Sequence, residues 1–263
     1  MMKKSRSVLT GFLGCFLVGV VATGKNVSQS SDSNLLIHRI AERMELFPEY
    51  SDWEAYVITR ITEMDKNWKP KKRTIIHKRV RSVGNTRSED ILHAVETKKD
   101  ESKDVTEKYR ERARKAEEKA AREEDNKDKN GGSFSVNLEE LFPFSDDRRD
   151  RYDFKQEKDD ILGGEKVHVF SVRAKEKTEK MWEGKYYFDT DDLLLLKFEL
   201  SPAKTPRFVK NAEMAMTFAV GPQGHFIFKT VKMLINGGIF IKHIRMVYEE
   251  EYSEFNVLEH RPD

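Results

Sequence analysis

Thiols, proline and any dominant charge are scarce in this chain of 263 residues. It carries one cysteine, Cys15, and seven prolines, and its 48 basic residues nearly balance 46 acidic ones, for a formal charge of +2. One cysteine excludes a disulfide framework. The near balance of charge removes the cationic footprint with which nucleic-acid binders neutralise phosphates, so no nucleic-acid partner is expected. Long apolar runs are also missing except at the N-terminus, which excludes a helical protein with many membrane spans. No two of the seven histidines, at 38, 77, 93, 168, 225, 243 and 260, are closer than 16 residues, so no local H-x-x-x-H metal pair exists. Neither a G-x-S-x-G elbow nor a phosphate-binding glycine loop occurs. Asp189 to Asp192 imitates the start of a calcium loop but has Leu194 and Leu200 where that loop needs Gly and Glu, so an acidic hairpin turn is expected. The expectation is a protein without catalytic residues, metal or cofactor.

The N-terminus specifies a compartment. Lys3, Lys4 and Arg6 precede an uncharged stretch whose apolar run extends from Val8 to Ala22, followed by small residues through Gly24. This order of basic start, apolar run and small residues predicts a cleavable secretory signal over residues 1–24 and a periplasmic mature chain. An uncleaved anchor is disfavoured by four glycines and a marginal length. Lipidation at Cys15 is disfavoured because Phe16, Leu17 and Val18 continue the apolar run. Cleavage removes three cations and the only cysteine, taking the charge from +2 to about −1.

Beyond a polar leader at residues 25–34, Leu36, Ile40, Met44 and Phe47 recur at three and four residue steps, predicting an amphipathic helix capped by Ser33 or Asn34 and stopped by Pro48. From Trp53 the period becomes two. Trp53, Ala55, Val57, Thr59 and Ile61 share one face, and further strands are predicted at Thr74 to Val80 and Ile91 to Val95. Lys98 to Lys129 differs: 23 of its 32 residues are charged. It reads as a solvated helix with a thin stripe of Val105, Tyr109, Ala113, Ala116 and Ala120, closed by Asn130-Gly131-Gly132. After a short helical turn at Leu138 to Phe142, eight strands follow between Tyr152 and Val257, joined by short turns such as Asn236-Gly237-Gly238. No helix between them is long enough for a parallel crossover.

These patterns predict a mainly β fold with one large, curling antiparallel sheet of about ten or eleven strands, with one domain over 35–257, a charged helical insertion at 98–132 and a tail at 258–263. The face of Met214, Met216, Phe218 and Val220, continued by Phe226 and Phe228, is wholly apolar. With little helix to cover it, the sheet is expected to curl around this face and take the Leu36 to Phe47 helix as a plug or lid.

The order of signal, short helix, Trp53-Glu54-Ala55-Tyr56-Val57-Ile58-Thr59-Arg60, charged insertion, Gly184-Lys185-Tyr186-Tyr187-Phe188-Asp189, Leu195-Leu196-Lys197-Phe198 and Ser201-Pro202-Ala203-Lys204-Thr205-Pro206 resembles bacterial outer-membrane lipoprotein-sorting proteins of the LolA/LolB-like class. The resemblance spans most of residues 33–96 and 133–257. It implies a strongly curved, unclosed antiparallel half-barrel with a helix-covered apolar cavity that holds acyl chains of lipids or lipoproteins, and it assigns no individual residue. The competing expectation is an envelope adaptor with a packed interior, which binds an envelope or membrane protein partner through the charged helix. The signal reading is checked by intact-mass measurement of the secreted protein, which is expected to begin near residue 25.

Overall fold

A computed structural model describes residues 31–45, 52–83, 86–124, 141–221, 226–239 and 242–258. The expected signal with Cys15, the lid residue Phe47, the Asn130-Gly131-Gly132 closure and most of the tail lie outside these residues. Helix α1 covers Ser31–Glu45, so it starts two or three residues before the predicted caps. The Ser33 hydroxyl instead donates to Gln156 Oε1 at 3.0 Å, tying the first turn of α1 to the sheet.

Four strands follow: β1 Trp53–Met64, β2 Pro70–Val83, β3 Thr86–Lys98 and β4 Glu101–Asp104. Helices α2 Thr106–Glu124 and α3 Asp146–Arg149 precede the second group. That group is β5 Tyr152–Gln156, β6 Asp160–Leu162, β7 Glu165–Ala174, β8 Trp182–Asp189, β9 Leu195–Pro202, β10 Val209–Val220, β11 Phe226–Ile239 and β12 Lys242–Val257. All twelve strands belong to one antiparallel sheet, in the order β4-β3-β2-β1-β12-β11-β10-β9-β8-β7-β5, with β6 also on β7. Its two edges do not pair with each other, so the sheet is unclosed.

The count exceeds the expected ten or eleven because two very short strands escape a periodicity argument. β4 is a four-residue edge strand with every side chain exposed, and β6 has three residues. In the other direction, the segments predicted as Ile239 to Tyr248 and a final run form the single 16-residue strand β12. Asn236-Gly237-Gly238 is not a turn but lies within β11. Glycine is required there for another reason. The Gly238 N–H donates to Phe208 O at 2.9 Å, and a Cβ on Gly237 would stand 2.6 Å from that oxygen. The glycines let the loop before β10 approach the backbone.

One face of the sheet carries the core. On β1 burial alternates strictly from Trp53 to Thr59, and on β10 Ala212, Met214, Met216 and Phe218 are buried in alternation with more exposed neighbours. Rings continue this face from strand to strand: Tyr186–Phe198, Phe198–Phe218, Phe218–Phe228 and Phe228–Tyr252 have centroids 5.9, 5.5, 5.8 and 6.0 Å apart. Trp53 on β1 reaches Phe228 on β11 at 6.4 Å although β12 lies between those strands. Such contact brings non-adjacent strands together on the inner side of a curved sheet.

The inner face is covered piecewise. Ile37 and Ile40 of α1 and the Leu141–Phe144 segment pack on the β5 to β10 half. The Tyr186 hydroxyl donates to Leu141 O at 2.6 Å, and the Phe144 ring meets Tyr186 and Phe188 edge-on at 5.1 and 5.0 Å. At the other end, α2 packs Tyr109 and Ala113 against Ile76, Ile91, Ala94 and Val105. The start of the charged insertion is therefore core, a correction to its reading as a wholly solvated helix. Ala116 is exposed. On its solvent side Glu111 pairs with Lys115 at 2.6 Å, beside Arg114–Glu118 at 2.8 Å.

Gly184 on β8 has φ +154°, and a Cβ there would lie 2.0 Å from Glu199 O of β9. Gly184→Ala must therefore move backbone between β8 and β9. It is expected to lower unfolding free energy by about 2 kcal/mol or more, measured by urea denaturation.

Candidate functional site

The inner face brings together most of the residues singled out from sequence. Met214, Met216 and Phe218 are 5, 4 and 5 % exposed and join one cluster with Ile37 and Ile40. Phe228, Leu36 and Met44 are partly buried against the same cluster. Val220 has the parity of Phe218 but is 50 % exposed, because it ends β10 at the rim. Phe226 pairs with Val220 in the β10–β11 register. Within α1 the most buried positions are Ile37, Ile40 and Ala41, so the stripe is centred one residue away from the Leu36 line.

Five methionines, Met44, Met181, Met214, Met216 and Met233, converge on this cluster. An unbranched thioether side chain repacks around differing shapes at little cost, unlike the β-branched residues of a rigid core. In the structure this face is filled by α1 and the Leu141–Phe144 segment. A pocket of about 350 Å³ opens beside α1. It is lined by Ile37, Tyr152 and Phe154 with Asn34, His38, Arg149, Asp150 and Lys175, and by none of the β10 residues. Its wall is mixed, and it borders the apolar face through Ile37.

Sequence reasoning missed a polar cluster on the same inner face. Lys78 and Glu250 are each 5 % exposed, on β2 and β12, with Lys78 Nζ 2.9 Å from both Glu250 Oε1 and Glu89 Oε1. Hydroxyls complete the carboxylate shell: Thr59 and Tyr248 donate to Glu250 Oε1 at 3.0 and 2.5 Å, and Tyr252 to Oε2 at 2.8 Å. Burial by itself raises the Glu250 carboxyl, but the Lys78 ammonium and the tyrosine hydroxyls outweigh it and hold the group at about 2. Burial and the adjacent Glu250 charge push both tyrosines upward. With donors on both oxygens, Glu250 is a fixed anion that joins β1, β2, β3 and β12. The one sequence signal was Lys78 standing in line with Ile76 and Val80 on the period-two face.

Histidines and acidic residues elsewhere form local surface contacts. His168 Nδ1 lies 2.9 Å from Asp159 Oδ1, and the Tyr56 hydroxyl 2.5 Å from His77 Nδ1. Asp189 Oδ1 accepts the N–H groups of Asp191 and Asp192 at 2.8 and 2.7 Å, which makes Asp189 to Asp192 the expected hairpin turn. Among the described residues no three His, Cys, Asp or Glu side chains are grouped to hold a metal ion. No helix among them is long and apolar enough to cross a membrane.

No protein-family model matches the sequence, and no curated protein matches it. In structure the chain is similar to LolA superfamily and lipoprotein-sorting proteins. A LolA superfamily protein from Nitrosomonas europaea is 9% identical with a TM-score of 0.37, over 84% of this chain and 93% of that one. An outer-membrane lipoprotein-sorting protein domain from Vibrio parahaemolyticus is 13% identical with a TM-score of 0.39, over 86% and 94%. A DUF1329 family protein from Desulfovibrio piger is 10% identical with a TM-score of 0.40, over the same shares. Likeness at this level carries no functional argument, and the unclosed half-barrel rests on this chain's own strand order and register.

The Glu250 cluster makes stability acid-sensitive in a defined window. A folded-state value of about 2 against 4.5 for a free carboxyl means that the contribution is complete above about pH 4.5 and is lost as pH falls toward 2. Glu250→Gln is expected to cost about 3 kcal/mol at pH 7 and to flatten this part of the stability profile. Urea unfolding of both proteins between pH 7 and 3 checks it.

Proposed function

We propose that the chain is a periplasmic, non-catalytic binder or carrier of acyl chains, taken from lipids or lipoproteins, with α1 as a lid closed over the binding face. The observation that carries this reading is how the apolar inner face is covered. The apolar cluster that holds Met214, Met216 and Phe218 is covered by no second sheet but in part by a 15-residue helix near the N-terminal end of the described chain, which joins the cluster through Ile37 and Ile40. A helix held in this way lifts without breaking a strand ladder.

Magnitudes favour exchange of the lid for a guest. Burying a sixteen-carbon chain at about 0.8 kcal/mol per methylene is worth roughly 12 kcal/mol, whereas the apolar side chains that α1 withdraws are worth about 6 kcal/mol together. The methionines supply adaptable walls for chains of differing length. The mixed pocket at Ile37, Arg149 and Lys175 lies where a chain end would begin to wedge α1 from the sheet.

A second reading, an adaptor that binds a protein partner, is favoured by one observation: Ile40 is fully buried and the inner face beneath it is filled. In that case the interior is ordinary core, and the partner meets the charged outer face of α2. Because α2 also covers Ile76 and Ile91, deleting it would expose core. Reversing the exposed Arg114 and Lys115 is the cleaner perturbation.

Organic extraction of the mature protein followed by mass spectrometry is expected to release lipid, and a fluorescent fatty acid is expected to be taken up. Ile40→Ala, which weakens the lid by about 2–5 kcal/mol, should speed uptake at least tenfold in stopped-flow measurements. Neither bound lipid nor uptake, with partner capture abolished by Arg114→Glu and Lys115→Glu, would replace the carrier with the adaptor.

A further inference from the structure

The connectors at the two ends of the sheet differ in charge, and the difference follows from topology. The antiparallel order puts the β1–β2, β3–β4, β7–β8, β9–β10 and β11–β12 connections at one end. Their described residues hold eight Lys and Arg, all exposed, against four acids, Asp65, Asp100, Glu176 and Glu179. Away from that end, the described residues between strands hold the acids Glu157, Asp159, Asp191 and Asp192 against one cation, Lys158.

The cationic end also displays large apolar side chains. Trp68 at the β1–β2 tip is 41 % exposed, Phe208 before β10 is 50 % and Ile244 near the start of β12 is 44 %. These tips adjoin one another. Arg245 Nη1 donates to Asp65 O at 3.5 Å, Ile244 stands opposite Gly237 in register, and Phe208 O accepts from the neighbouring Gly238 N–H. Trp68 is held in place and not left loose. It adopts φ +60°, uncommon for a bulky residue, in a turn whose Asp65 Oδ1 accepts the N–H groups of Asn67 and Lys69 at 2.7 and 2.9 Å. Lys66 and Lys69 flank it, and Arg207 lies over the Phe208 ring at 5.7 Å.

An indole presented between lysines at a rigid tip matches the membrane–water interface, where amphipathic rings settle at headgroup level and cations meet anionic lipid. We propose that this end of the sheet docks on a bilayer surface carrying anionic lipid, with Trp68 as the principal anchor, Phe208 and Ile244 beside it and the connector lysines and arginines supplying the attraction. Exposed apolar side chains alone would suit a protein partner equally well. The excess of cations at this end and its absence at the other select the anionic surface. Docking is independent of the acyl-chain reading, since a protein that takes up no fatty acid can still sediment with vesicles.

Co-sedimentation of the mature chain with phosphatidylglycerol and phosphatidylcholine vesicles tests the proposal. Binding to the anionic vesicles is expected, at least tenfold tighter than to the neutral ones and weakened by salt. Lys66→Glu with Lys69→Glu should weaken it more than twentyfold, from about fivefold per cation near the surface. Trp53 and Trp182 are 7 and 4 % exposed, so quenching by lipids brominated along their chains reports on Trp68 and should vanish in Trp68→Ala. Equal affinity for the two lipids, an indole that stays unquenched on bound vesicles, or binding unchanged by the lysine reversals would overturn the proposal. Preferential capture of a protein by the wild type, with no vesicle binding, would do the same.

Discussion

One constraint organises this molecule: a twelve-stranded sheet with an apolar inner face does not close on itself, so that face has to be covered by what little helix the chain provides. A closed barrel would bury the face by geometry alone. Here α1, the Leu141–Phe144 segment and α2 each cover a part, and they are the elements joined to the sheet mainly by side chains. The position of the Tyr186 hydroxyl on Leu141 O and the edge-on rings around Phe144 show how firmly the middle piece is seated. Polar ties of α1 to the sheet include the part-buried Ser33 hydroxyl on Gln156 Oε1 and the exposed Arg43 guanidinium on Asp192 O. The same shortage of covering elements that makes the fold open is what the proposed carrier uses, with α1 as the part that moves.

The Lys78–Glu250 cluster belongs to the other half of the sheet and has a different consequence. It lies where β1 and β12, near the two ends of the described chain, pair at the centre of the sheet. Pairing of such distant segments comes late in folding because the loop closed between them is long. A buried, hydrogen-bonded ion pair adds little net stability over apolar packing, but it penalises any register in which its partners fail to meet. A shift of β12 by one residue would turn Glu250 to the outer face and leave Lys78 with Glu89 alone. The cluster thus favours one register in a region whose outer face is polar and undemanding.

Much of this was legible in the residues. Strict alternation from Trp53 to Thr59 and from Ala212 to Phe218 identified the buried face, because the side-chain period of a strand admits no other reading of such runs. The charged helix was visible in its 23 charged residues of 32, yet its seat on Ile76 and Ile91 was not. A stripe of one tyrosine and a few alanines is too thin to announce burial. β4 and β6 were missed because three or four residues hold too little periodicity. Asn236-Gly237-Gly238 was misread because glycine permits both a turn and a close backbone approach, and only the position of Phe208 decides between them. Lys78 and Glu250 were hidden among many charges, and their meeting depends on two strand pairings that local sequence does not encode.

Composition and local pattern alone determined the class of this protein: antiparallel β, one apolar face, one amphipathic helix to lie on it, no thiol framework and no catalytic motif. These follow from short-range physics, since alternation, turn residues and helix spacing act within a few positions. Tertiary structure decided what depends on distant segments meeting. It placed β1 against β12, buried Lys78 beside Glu250, filled the inner face with α1, and gathered Trp68, Phe208 and Ile244 at one cationic end. Each of those outcomes is set by strand order and register, which bring together residues as far apart as Asp52 and Leu258, a separation over which local preference has no reach.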